Sequence, residues 1–312
     1  MTSWFKSTAL VKPDDEVEVA HEISTKGKYG LEVCYDGDRS GVNVVADIIF
    51  VHGLTGNRQN TWTTKTDKVF WPKDLLSRTL PNTRIMTFGY DADIAHFLSA
   101  ASQNRIGEHA GNLVNAVTEV REATDTEHRP IIFVTHSLGG LVTEDALLYS
   151  KNSAEAHLQD MMQSVVGICF LGTPHCGSDL ANWGSVVGNL AKFIKNANVD
   201  IINVLKTDSE VLARIQRDFH TMLRGPSFEF RAPIKITCFY EELSVAGAGI
   251  VPKHSAILSS YNAIGIHSNH MDMTKFSDTS DPGYRSVTGE LRRWVKELAR
   301  AAAASGPWQS GQ

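Results

Sequence analysis

The chain has 312 residues, of which 42% are hydrophobic and 21% charged, and its formal net charge is −5. That is enough apolar material for one large α/β core or two small ones, and it excludes a disordered composition. With no basic surplus and no Lys/Arg-rich run, a nucleic-acid partner is not expected.

The start, Met1 to Leu10, lacks the apolar stretch of a signal peptide. No run of about eighteen apolar residues marks a transmembrane helix. Four cysteines occur, Cys34, Cys169, Cys176 and Cys238, and no two form a C-x-x-C pair. Zinc and redox-motif chemistry therefore have no support. Cys34, Cys169 and Cys238 sit in strand-like runs and read as small buried hydrophobes. A cytoplasmic location with reduced thiols is the expectation.

Along the chain, short apolar runs alternate with helical patterns, the signature of a mostly parallel sheet covered by helices. Strands are predicted over Leu31–Tyr35, Asp47–Val51, Arg84–Phe88, Ile131–Thr135, Val165–Leu171 and Ile234–Tyr240, with a possible last strand over Ala263–Ile266. Continuously apolar runs such as Ile48–Val51 and Ile131–Val134 suit central strands buried on both faces. Amphipathic helices are predicted through Ile106–Val120, Leu138–Ala146 and Val287–Leu298. From about Ser178 to Arg231 the alternation stops, and two helical stripes, Trp183–Ile194 and Val211–Leu223, fill the gap. An insertion of this length is either a cap over the active site or an extra helical pair packed on the sheet. Residues 1–300 read as one domain, and residues 301–312 as a flexible tail.

The strongest chemical signal is Thr135-His136-Ser137-Leu138-Gly139-Gly140. A buried strand runs into a serine and a helix starts at once, which is the context of a nucleophile elbow. Such a turn strains the serine backbone and needs small neighbours. Thr135 stands where G-x-S-x-G has its first glycine. Taken alone, Ser137 could be an ordinary helix N-cap; the full context favours a nucleophile. An earlier strand ends in His52-Gly53-Leu54-Thr55-Gly56. By itself that is a strand-ending turn. Paired with the elbow, it supplies a second oxyanion donor, the Leu54 amide, beside the Leu138 amide.

A serine hydroxyl needs a general base, and in this chain order the base comes last. His267 and His270 both lie in the loop after the last strand; His270 is preferred because it is deeper in that loop. The strand Ile234–Tyr240 leads into Glu241-Glu242. Glu241, the first beyond the strand, is the preferred acid, with Glu242 as its alternative. Asp272 is a further, weaker partner for the base.

Together, Val51-His52-Gly53-Leu54-Thr55-Gly56 with Trp62, the Thr135–Gly140 elbow, Phe170-Leu171-Gly172-Thr173-Pro174-His175, Phe239–Glu242 and Asn269–Met273 resemble the serine esterase and lipase-like α/β-hydrolases. In particular they are similar to fungal domains at the start of NACHT, NB-ARC or ankyrin receptors, and to the serine active-site-containing and GPI inositol-deacylase relatives. The likeness spans roughly Leu31 to Leu298. It implies Ser137 as nucleophile, Glu241 as acid and His270 as base, with His175 structural or pocket-lining, and the fold expected is an α/β-hydrolase with a helical cap insertion over about 178–231.

The function expected is hydrolysis of a small-molecule or lipid acyl ester through an acyl-serine intermediate, with no metal and no cofactor. Acyl transfer or thioester cleavage on the same triad is the near alternative. The distant one is a signalling or effector domain whose activity depends on assembly into a homo-oligomer.

Overall fold

The computed structural model describes residues 28–54, 56–92, 105–176, 180–192, 200–225, 232–244 and 250–304. Met1–Leu10, Thr55, Ser178, Phe193, Ile194, Arg231 and residues 305–312 of the expected tail lie outside them.

Among the described residues seven strands form one sheet: β1 (Gly30–Asp36), β2 (Ala46–Val51), β3 (Thr83–Gly89), β4 (Ile131–His136), β5 (Val165–Leu171), β6 (Lys235–Glu241) and β7 (Asn262–Ile266). Their order across the sheet is β1-β3-β2-β4-β5-β6-β7. Only β1 runs antiparallel to its neighbour. This is an α/β-hydrolase architecture. Every residue of β2, β3 and β4 is buried, whereas β1 and β7 at the edges are half-exposed. The apolar runs at 48–51 and 131–134 are continuous for that reason: both of their faces are covered.

The alternation of side chains divides the core. Ile49, Val51, Ile131 and Phe133 face one layer of helices: α1 (Arg105–Glu122), α2 (Gly139–Asn152) and α3 (Ala156–Ser164). Ile48, Phe50, Ile132 and Val134 face the other, where α6 (Pro282–Ala304) packs through Tyr284, Val287, Leu291 and Trp294. Phe50 meets Trp62 and Trp71 edge-on, with ring centroids 5.0 Å apart in both cases. Residues 301–304 of the expected tail are the last turn of α6. Among the described residues no helix is long and apolar enough to cross a membrane.

Two helices occupy the insertion after β5: α4 (Leu180–Lys192) and α5 (Asp200–Arg224). Leu212, Ile215, Phe219 and Met222, four residues on one helical face, are buried in the same core as Leu141 of α2 and Phe170 of β5. That half of α5 is therefore an additional layer of the body.

At the end of the sheet where β2 and β4 begin, Asp47 is fully buried. Arg84 grips it with two parallel bonds, Nε to Oδ1 at 2.9 Å and Nη2 to Oδ2 at 2.7 Å, and Arg121 Nη1 adds a third at 2.8 Å. The Asp47 amide donates to Pro130 O at 2.8 Å. The carboxylate thus joins β2 to β3 and to the end of α1, and the amide joins β2 to the turn that leads into β4. Removing it leaves two guanidiniums buried without their anion. Asp47→Ala is expected to cost about 3–5 kcal/mol in a denaturant-unfolding measurement.

Candidate active site

Parallel strands place all their C-terminal ends on one side, and ligand sites of open α/β sheets gather there. The register aligns Val51, Thr135, Phe170 and Cys238 across four strands. Leu54, Ser137, Gly172 and Glu241 all follow within three residues of that row, and His270 comes from the loop after β7.

Ser137 sits between β4 and α2 with φ +53, a left-handed backbone that a non-glycine residue adopts at a cost of about 1–3 kcal/mol. Its amide donates to Leu171 O at 2.9 Å, so the ladder to β5 continues one residue past the strand. Its carbonyl accepts from Gly140 at 3.1 Å and opens the helix. Two glycines make room. A methyl on Gly53 would lie 2.6 Å from Ser137 Cβ and 2.8 Å from His136 O; one on Gly139 would lie 2.2 Å from His52 O. The loop after β2 and the elbow are thereby pressed together, bringing Leu54 and Leu138 beside the serine. Thr135, in place of the elbow's first glycine, is fully buried, with its hydroxyl 3.4 Å from Cys169 O.

His270 Nδ1 stands 3.3 Å from Glu241 Oε2, and both side chains are almost completely buried. That is longer than a tightened charge-assisted hydrogen bond of about 2.7–2.9 Å. The other oxygen, Glu241 Oε1, accepts from the Val251 amide at 3.0 Å. Ser137 Oγ, both ring nitrogens of His270 and Glu241 Oε2 are buried and have no hydrogen-bond partner among the described residues. Glu242 and His267, the alternative acid and base, meet each other instead, 3.2 Å apart on the surface. Asp272 turns to Lys65 at 3.0 Å and to Lys275 at 3.6 Å.

Residues not singled out for the site hold this arrangement in place. His136, inside the elbow motif, donates from Nε2 to His270 O at 2.9 Å and so fixes the backbone of the distant histidine. Strand alternation is the signal: His136 points to the face opposite Thr135. Trp71 Nε1 donates to Thr274 O, and Thr274 Oγ1 to Thr61 O, both at 2.8 Å, anchoring the end of the same loop. His52 donates from Nδ1 to Gly53 O at 2.9 Å, and Tyr90 stacks on its ring and donates to its carbonyl at 2.8 Å.

The family described as "Putative serine esterase (DUF676)" matches residues 47–213, more than half of the chain. The chain belongs to this family. It is also similar to Protein SERAC1 of Bos taurus, 25% identical over 291 residues that cover 85% of this chain and 43% of the relative. Protein SERAC1 of Homo sapiens is 24% identical over 273 residues, covering 81% and 39%. The chain thus spans about two fifths of the length of these curated relatives. Among solved structures, the Bacillus licheniformis lipase BlEst2 in its mature form aligns with a TM-score of 0.47 and 19% identity, over 80% of this chain and 91% of that one.

Among the buried histidines of this chain, two are shifted down and one up. Burial lowers His52 to about 4, outweighing its bond to Gly53. Burial, together with the neighbouring His270, holds His136 well below 6.5. For His175 burial pulls downward too, but hydrogen bonds to Cys238 and Glu144 and the Glu144 charge raise it to about 9. The signs follow by linkage. The contributions of His52 and His136 are complete above 6.5 and vanish as the pH falls through their folded values. That of His175 is complete below 6.5 and vanishes as the pH rises through 9. Urea midpoints are expected to peak near pH 6.5 and to fall on both sides, with Glu144→Gln flattening only the alkaline limb. Gly53→Ala, forced against backbone, is expected to lose about 1–3 kcal/mol in the same assay.

Proposed function

We propose that the chain is a serine hydrolase of carboxylic esters, with Ser137 as nucleophile, His270 as general base and Glu241 as the acid that orients it. The observation that carries this reading is the strained Ser137 at the end of β4, beside a buried Glu241–His270 pair. A strained serine backbone has no structural use where a relaxed turn would serve, and such strain collects at working sites.

In this reading Ser137 Oγ attacks the ester carbonyl and gives its proton to His270 Nε2. The oxyanion that forms is held by the amides of Leu54 and Leu138, next to the start of α2. His270 then passes its proton to the leaving alkoxide, and the acyl group stays on Ser137. A water molecule, deprotonated by the same histidine, attacks the acyl-serine and frees the carboxylic acid. Glu241, with one oxygen held by Val251, stabilises the imidazolium at each stage without taking its proton.

An apolar acyl or alcohol group suits the rim of the site. Met271 follows His270 directly, Leu243 lies two residues after Glu241, and both are exposed. The apolar side chains Leu212, Ile215, Phe219 and Met222 of α5 do not add to this preference, because they are buried in the body.

Reaction with an alkyl fluorophosphonate, followed by peptide mapping, tests the assignment without the natural ester. Labelling is expected on Ser137 alone, and to be lost in Ser137→Ala and His270→Ala. A panel of short and long acyl esters with a matched thioester then ranks the leaving group. Labelling elsewhere, or undiminished in His270→Ala, would sink the assignment; faster turnover of the thioester would recast the protein as a thioesterase.

A further inference from the structure

We propose that His175 is a positioning residue for this site: seated on the buried carboxylate of Glu144, it fixes the turn that backs the imidazole of His270. The proposal rests on the reading of Ser137, Glu241 and His270 as the triad.

The turn runs from Gly172 to His175, directly after β5. At its near end Gly172 has φ +57, and its amide donates to Phe239 O at 2.8 Å. A methyl there would lie 2.9 Å from both Nδ1 and Cε1 of His270, so this backbone lies against the edge of the ring that faces Glu241. In its middle, Thr173 is clamped to the nucleophile helix: a methyl on Gly140 would lie 2.3 Å from its side chain. At its far end the His175 amide donates to Ser255 O at 2.5 Å.

The His175 side chain completes the anchorage. Nδ1 is 3.4 Å from Glu144 Oε1, and the two side chains are 1% and 0% exposed. Gln216 of α5 donates from Nε2 to both oxygens of Glu144, at 2.8 and 2.6 Å, and lies 3.0 Å from His175 Nδ1. The ring stands edge-on to Phe170 at 4.8 Å. It thus ties α2, which begins at the nucleophile, to the turn behind the base and to the inserted helix α5.

Stability alone does not account for this cluster. Apolar side chains of similar volume commonly replace a buried ion pair with no loss of stability. What the pair supplies is a fixed direction, and a reacting group displaced by about 1 Å can lose on the order of 10²-fold in rate. His175 acts through His270: its Nδ1 lies against Glu144 of α2, at the opposite end of the turn from Gly172.

The test measures kinact and KI for an alkyl fluorophosphonate, in which Ser137 Oγ displaces fluoride from phosphorus and His270 takes the hydroxyl proton. Wild type, His175→Asn, Glu144→Gln and the double variant are compared, with thermal midpoints to establish the folded fraction. The expected result is a fall in kinact per folded molecule on the order of 10²-fold for His175→Asn, with KI unchanged. If His175→Asn does not fold, Glu144→Gln, which keeps the shape and removes the charge, decides in the same way. Wild-type kinact in the folded variants overturns the positioning role, provided that Ser137→Ala and His270→Ala are unlabelled. Labelling that survives in those two overturns the triad reading itself.

Discussion

The structure is organised around one backbone torsion, the left-handed φ of +53 at Ser137. A serine in that conformation is unfavourable by about 1–3 kcal/mol, so the surroundings must over-determine it. They do so from three sides. Leu171 O holds the amide from β5, Gly140 draws the carbonyl into a helix, and the Gly53 backbone closes over the side chain. None of these contacts tolerates a larger residue at Gly53 or Gly139, because the groups they meet are themselves backbone. The two loops that carry Leu54 and Leu138 are therefore juxtaposed by the same constraint that strains the serine.

Such a constraint needs a rigid base, and the opposite end of the sheet supplies it. Asp47, Arg84 and Arg121 bind β2, β3 and the approach to β4 at the ends where β2 and β4 begin. Between this ionic anchor and the elbow lie only fully buried apolar residues. Charge is thus confined to the two ends of the central strands, where side chains and loops can satisfy it. A strand locked at one end by three charged groups can sustain a sharp reversal at the other.

Much of this was legible in the chain. The strand at 165–171 has the bounds that its apolar run predicts, and the others differ by one or two residues, because hydrophobic runs end where burial ends. The elbow was legible because strand, serine and helix are contiguous. The proposed acid and base were less so: Glu241-Glu242 and His267…His270 each offer two residues of one type, and composition does not choose between them. The fold separates them by alternation. Glu241 still belongs to β6 and turns inward, so its neighbour must turn outward, where it meets His267 on the surface. What local pattern could not show was contact at long range. The bonds from His136 to the backbone of His270, and from Trp71 to Thr274, link residues more than a hundred positions apart. The insertion was similarly ambiguous, since an amphipathic stripe on α5 serves a cap and a packed layer equally; over Leu212–Met222 that stripe is buried in the same core as α2.

The histidines show how one residue type is divided among tasks by its neighbours. His52 and His136 are buried beside neutral partners, a glycine carbonyl and the carbonyl of His270, and stay uncharged. They can therefore sit next to the site as hydrogen-bond donors without placing positive charge where the proposed base would gain its own. His175 is equally buried but has a carboxylate in reach, and it holds its proton. The proposed base, His270, has a carboxylate 3.3 Å from Nδ1 and an unbonded Nε2. His175 shows the same two features, with Glu144 3.4 Å from its Nδ1 and its Nε2 unbonded, so the pairing alone does not mark out a base. Position separates them: Gly172, at the near end of the turn after β5, lies against the ring of His270, whereas His175 ends that turn against Glu144 of α2 and Gln216 of α5. An imidazole paired in this way can accept a proton and then release it, because the acid stabilises the cation while the second nitrogen stays free to exchange.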